Sequence, residues 1–77
     1  MIITLTYFGR LTELTGKSME SLDIKDETVR GIRKSLEEFY PTLCEMTYQL
    51  AANNSILNED DSITVNRLDV FPPFSGG

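Results

Sequence analysis

The residues with the clearest chemical character stand at the C-terminal end of the 77-residue chain, Phe71-Pro72-Pro73-Phe74-Ser75-Gly76-Gly77. Two prolines force an extended, polyproline-like path, and the two glycines carry no side chain. A glycine end offers an unhindered carboxylate at the tip of a thin thread. Such a tip can slide into a narrow channel, be adenylated there by an ATP-using enzyme and pass its acyl group to a nucleophile. Gly77 is therefore expected to carry the reactive group. Pro72, Pro73, Phe74, Ser75 and Gly76 are expected to form the segment inserted into a partner. Phe71 and Phe74 are expected to touch that partner, because one lies on the outward face of the last strand and the other beyond the prolines.

Other chemistry is scarce. The chain has no His, which excludes a Ser/His/Asp triad, a Cys/His pair and His-containing zinc sites. A single Cys excludes thiolate zinc sites, a CxxC centre and an internal disulfide, and fits a reducing cytoplasm. That residue, Cys44, stands between Leu43 and Met46 and is expected in or near the core as a small hydrophobe rather than as a persulfide carrier. Glu59-Asp60-Asp61 begins like a metal loop, but Ser62-Ile63-Thr64 offers no further oxygen ligands at calcium spacing. A solvated loop is expected there, and no metal site.

Charge narrows the partners. Residues 1–34 carry six basic and five acidic side chains, net +1, and residues 35–77 carry one and seven, net −6, which sums to the overall −5. Nucleic acid is not an expected partner without a basic patch. The acidic half suits a basic protein surface as well as solubility. No run approaches the length of a membrane span. Met1 to Leu5 lacks the basic flank of a signal peptide and is predicted as a strand.

The elements that must hold the tail follow from periodicity. Ile3, Leu5 and Tyr7 alternate with Thr4, Thr6 and Phe8, which predicts a strand over 2–8. Leu11 and Leu14 fit one helical turn closed by Gly16. A second strand is predicted over 17–25 with Leu22 and Ile24 inward. Val29, Ile32, Leu36 and Phe39 make one apolar helical stripe, capped by Asp26 or Thr28 and ended at Pro41. Gly31 inside it is expected to let the helix approach the sheet closely. Tyr48, Leu50 and Ala52 predict a strand near 47–53, Asn53-Asn54 a turn, and Ser55-Ile56-Leu57 a short edge strand. Leu68 and Val70 are the inward positions of the last strand. The order is β-β-α-β-(β)-β: an α+β domain with a mixed sheet of four to five strands on one main helix. A single domain over 1–77 is expected, with 70–77 as an extended, flexible tail.

Three segments together resemble the ubiquitin-like sulfur carriers of the MoaD/ThiS family, and within it the molybdopterin synthase small subunits. Phe8-Gly9-Arg10-Leu11-Thr12-Glu13-Leu14-Thr15-Gly16 is similar to that family's strand exit and Gly-ended turn. Leu50-Ala51-Ala52-Asn53-Asn54 is similar to its A-x-N segment. Phe71 to Gly77 matches its F-P-P-hydrophobic-x-G-G tail, and the Phe-Pro-Pro separates it from the thiamine-type carriers. At Thr64-Val65-Asn66-Arg67 the family usually has an acidic residue and a Gly; Asn66 can adopt the left-handed conformation Gly would supply, and the turn there stays open.

The resemblance implies a β-grasp fold and a cytoplasmic, non-catalytic subunit of a sulfurtransferase complex. It implies adenylation of Gly77 by a MoeB-like activating enzyme using ATP, with no permanently bound cofactor on this chain. Conversion to a thiocarboxylate follows, then sulfur delivery to cyclic pyranopterin monophosphate within a MoaE-like large subunit, two copies of each chain forming the complex. A thiamine-type carrier and a ubiquitin-like protein modifier stay open beside it.

Overall fold

The computed structural model describes residues 1–72. Pro73, Phe74, Ser75, Gly76 and Gly77 lie outside the described residues, and with them most of the segment expected to carry the chemistry. In chain order the elements are β1 (Ile2–Tyr7), α1 (Arg10–Thr15), β2 (Met19–Asp23), α2 (Val29–Phe39), a 3₁₀ turn (Pro41–Glu45), β3 (Gln49–Ala52), β4 (Ser55–Ile56) and β5 (Arg67–Phe71). The sheet order is β2-β1-β5-β3-β4. β5 runs parallel to β1, and every other pairing is antiparallel. This is the ubiquitin-like β-grasp expected from the sequence, with α2 as its main helix. β5 extends through Phe71, so Val70 and Phe71 belong to the sheet and the tail leaves it at Pro72.

The alternation in β1 buries Ile3, Leu5 and Tyr7 on one face. Leu22, Leu50, Leu68 and Val70 join them from the neighbouring strands, and Val29, Ile32 and Leu36 of α2 close the core from above. The α2 stripe stops one turn earlier than its spacing predicts. Phe39 is 67% exposed. The core positions at that end are filled by Leu43 of the 3₁₀ turn and by Tyr40, which packs against the cluster. Phe39 is left outside, its ring centroid 6.5 Å from that of Tyr40.

Cys44 is exposed, not in the core. Its apolar neighbours Leu43 and Met46 are one 3₁₀ turn apart, so they share the inner side and residue 44 faces out. Its Sγ donates to Glu37 Oε1 at 3.2 Å, and this bond holds the thiol's pKa above its ordinary value. The thiolate is disfavoured, which also speaks against nucleophilic chemistry here.

Thr28 caps α2, its Oγ1 accepting from the Gly31 N–H at 3.1 Å and donating to Asp26 Oδ1 at 2.9 Å. Gly31 does permit a close approach, but to the Asp26 backbone rather than to the sheet. Asn53 and Asn54 take φ of 52° and 65° and form the two-residue turn between β3 and β4. Asn66 is not among the residues at positive φ; its carbonyl accepts from the Thr4 N–H at 2.8 Å and opens the β1–β5 pairing. The acidic loop is engaged by Arg30, whose guanidinium lies 3.1 Å from Asp60 Oδ1 and 3.7 Å from Glu59 Oε2.

Candidate functional site: the root of the tail

The parallel β1–β5 pairing decides where the tail begins. Thr4, Leu5, Thr6 and Tyr7 pair with Arg67, Leu68, Asp69 and Val70 in turn. One step further, Phe8 N–H donates to Val70 O at 3.1 Å. The Phe8 and Phe71 rings stack with centroids 4.7 Å apart and planes 10° from parallel. Both rings stand on the sheet face turned away from α2. Phe71 is half-buried there, and Phe8 is 38% exposed.

Gly9 follows with φ 57° and ψ −132°, a backbone shape open to glycine and strained for other L residues. A β-carbon on Gly9 would lie 3.1 Å from Pro72 Cγ. The Pro72 ring thus rests directly on the bare Cα of Gly9. The Gly9 carbonyl in turn accepts from Thr12 N–H at 3.1 Å and Thr12 Oγ1 at 2.7 Å, which ties this loop to the first turn of α1.

The same sheet face carries more apolar surface. The register places Met19, Thr6, Asp69, Ala51 and Ile56 in one row across all five strands. Met19, Ile56 and, near the start of β1, Ile2 are each more than half exposed. Met19 and Ile56 stand at the two ends of this row, toward the end of the sheet where the chain leaves β5, and Ile2 stands at the opposite end. Sequence reasoning identified Phe71 as a contact residue but missed Phe8, Gly9, Met19 and Ile56. The signal for Phe8 was present, since it shares the outward phase of Thr4 and Thr6.

Behind this face a polar network braces β1 and β2. Glu20 Oε2 accepts from the Tyr7 hydroxyl and, at 2.7 Å, from the Tyr40 hydroxyl. Lys17 Nζ donates to Glu20 Oε1 at 3.3 Å. Burial raises the Glu20 pKa, but the bonds from Tyr40, Tyr7 and Lys17 outweigh it and hold the carboxyl below its ordinary value. A depressed folded-state pKa contributes stability above the unfolded value and loses it as pH falls through the folded one. The fold should therefore weaken as pH drops below the ordinary carboxylate range. Glu20→Gln should lower stability at neutral pH by about 2 kcal/mol, because the hydroxyls lose a charged acceptor. It should also flatten this acid limb. Chemical denaturation at several pH values measures both, and an acid limb unchanged in the variant would assign it to other carboxylates. Tyr7, Tyr48 and Tyr40 have pKa values raised by burial first and by their carboxylate partners second. Their contribution is present below the ordinary tyrosine pKa and fades as pH rises above it.

Phe8, Gly9, Phe71 and Pro72 bring no nucleophile against a base, and the described residues hold no cluster of metal-ligating side chains. What the arrangement builds is an apolar platform centred on the stacked Phe8 and Phe71 rings, where the chain leaves β5. No helix among the described residues is long and apolar enough to cross a membrane.

Comparison with known proteins agrees with this geometry. The sequence pattern of the ThiS family matches residues 5–77. A molybdopterin synthase sulfur carrier subunit from Caenorhabditis elegans is 36% identical over 81 residues, covering 97% of this chain and 96% of that protein. A putative molybdopterin converting factor, subunit 1, from Pyrococcus furiosus superposes with a TM-score of 0.85 at 19% identity, over 96% of this chain and 99% of that one. SAMP1 from Haloferax volcanii superposes with a TM-score of 0.79 at 20% identity, over the full length of both chains. The two structural likenesses show a shared fold.

Proposed function

Since this chain belongs to the ThiS family, we propose that it is the sulfur carrier subunit of a molybdopterin synthase. The observation that carries the reading is the near full-length similarity to the Caenorhabditis elegans sulfur carrier subunit, joined to the Phe-Pro-Pro-Phe-Ser-Gly-Gly segment that leaves the apolar platform.

The Gly77 carboxylate attacks the α-phosphorus of ATP in an activating enzyme and displaces pyrophosphate, giving an acyl-adenylate. A sulfur nucleophile held by a donor protein attacks the acyl carbon and AMP leaves. The attacking atom is the outer sulfur of a persulfide, so the product is an acyl disulfide. A thiol then attacks the donor's inner sulfur, forms a disulfide with it and releases the thiocarboxylate on Gly77. The tail then enters a large synthase subunit, where the sulfur passes to cyclic pyranopterin monophosphate. Two such deliveries complete the dithiolene, and two copies of each chain form the working complex. The side chains that catalyse these steps belong to the partners. This chain supplies the sulfur-bearing end and the surface that docks it. Phe8, Phe71, Met19 and Ile56 form the apolar centre of that surface, with Phe74 beyond the prolines. The acidic C-terminal half meets basic residues around the entry channel.

A ubiquitin-like modifier is the second reading, favoured by the full-length superposition on SAMP1. Both readings share the adenylation of Gly77 and diverge at the acceptor. The stiff Pro72-Pro73 pair suits insertion into a fixed channel.

Incubation with a cognate activating enzyme, ATP and a sulfur donor should raise the chain's mass by the difference between one sulfur and one oxygen, localised to Gly77. An unchanged mass, with the enzyme shown to be competent on a known carrier, would overturn the sulfur-carrier reading. Isopeptide linkage of Gly77 to a lysine would establish the modifier reading.

A further inference from the structure

We propose that Gly9 is a positioning residue for the tail: a side-chain-free seat for Pro72 that aims the last five residues at the activating enzyme's channel. The proposal rests on the sulfur-carrier reading above and adds to it a residue outside the tail.

Three consecutive positions, Val70 and Phe71 at the end of β5 and Pro72 just after it, are each held by one of the two consecutive positions after β1. The Val70 carbonyl takes the Phe8 N–H, the Phe71 ring lies on the Phe8 ring, and the Pro72 ring lies on Gly9. The φ of Pro72 is fixed by its own ring. The position and heading of the chain at residue 72 are therefore set relative to the apolar platform.

Glycine at position 9 is not explained by helix capping. Gly9 is the N-cap of α1 and makes no side-chain cap bond, where Ser, Thr, Asp or Asn would supply one. Two features do call for glycine: the backbone at φ 57° and ψ −132°, and the Pro72 Cγ standing 3.1 Å from where a β-carbon would be. An L side chain here would both strain the turn and push the Pro72 ring back by a few tenths of an ångström.

The remaining five residues span at most roughly 17 Å when fully extended. A short tether leaving from a fixed heading searches fewer orientations before its tip enters a channel, so less freedom is lost on binding. The seat acts on capture of the tail and not on the chemistry at its tip.

The test measures ATP–pyrophosphate exchange by a cognate activating enzyme with the full chain varied. Gly9→Ala should raise KM for the carrier about tenfold, with kcat held within about twofold. A synthetic chain with D-alanine at position 9 controls for the added methyl itself. A D residue adopts this φ and ψ without strain, and its methyl does not occupy the position that lies 3.1 Å from Pro72 Cγ. It should keep the wild-type KM. Pro72→Ala, which strains nothing at residue 9, should raise KM several-fold without moving Tm. A wild-type KM for Gly9→Ala or Pro72→Ala, or an equal rise for both alanine enantiomers, would overturn the proposal. Nuclear Overhauser contacts between the Gly9 α-protons and the Pro72 ring in the free wild-type chain give a readout independent of the enzyme. Their absence also overturns the seat. Their presence in a chain that no competent activating enzyme adenylates would retain the seat and reject the sulfur-carrier reading.

Discussion

Deleting Gly77, or converting Gly76 or Gly77 to alanine, is expected to abolish or nearly abolish activation of the chain end while leaving its melting temperature unchanged. Among the described residues the buried cluster already runs from Ile3 to Val70 and is closed by α2, and the two glycines bring no side chain to add to it. The tip matters for a different reason. An acyl-adenylate forms only when the carboxylate oxygen stands in line with the α-phosphorus, and displacement of a reacting group by about 1 Å can cost on the order of 100-fold in rate. Removing Gly77 withdraws the carboxylate by one residue, which is roughly 3.5 Å of extended chain. A methyl on either glycine must fit a channel whose expected occupant has no side chain. Loss of at least about 100-fold in pyrophosphate exchange is therefore expected for each variant, and the deletion should be the most severe. Exchange assays and thermal melts on the same samples decide it. Wild-type exchange in all three would show that the tip is not threaded into a narrow site.

The parts of this fold that were legible in the sequence are those set by local periodicity. β1, α2 and β5 each carry a clear period, two for the strands and 3.6 for the helix, and the structure places them as expected. The misreadings fall where an element ends and a long-range neighbour takes over. Phe39 continues the helical stripe, yet Tyr40 and Leu43 reach the core first because Pro41 starts a tighter turn. Cys44 sits among apolar residues in sequence, but a 3₁₀ turn has three residues per turn and directs Leu43, not Cys44, inward. The tail root was half legible. The outward phase of Phe71 was evident, whereas its stacking on Phe8 and the seating of Pro72 on Gly9 depend on the parallel pairing of the first and last strands. Nothing local in either segment encodes that pairing.

Gly31 shows how such a long-range contact can reverse a local rule. Replacing glycine by alanine inside a helix ordinarily stabilises it by about 1 kcal/mol. Gly31→Ala is expected to do the opposite. A β-carbon there would lie 2.2 Å from the Asp26 carbonyl oxygen and 2.7 Å from its β-carbon, both far inside van der Waals contact. Asp26 has little room to retreat. Its carboxylate is tied to Thr28 Oγ1, whose oxygen also caps the helix through the Gly31 N–H. The next residue is held as well, since the Glu27 carbonyl accepts from Ile63 N–H at 2.7 Å, and Val29 N–H donates to Asp61 O at 3.0 Å. Relieving the clash means breaking the cap or shifting this anchored loop. Overpacking of this kind costs roughly 1–3 kcal/mol or more, and the loss of the cap adds about 1 kcal/mol. Set against the gain in helix propensity, the net destabilisation should be about 2 kcal/mol. For a domain of this size that lowers Tm by roughly 8–16 °C. Because α2 covers the sheet face opposite the Phe8–Phe71 platform, loading of Gly77 measured well below the new Tm should stay near wild type. A denaturation midpoint equal to or above wild type would show that the Asp26 loop yields freely and that glycine at position 31 serves no packing purpose.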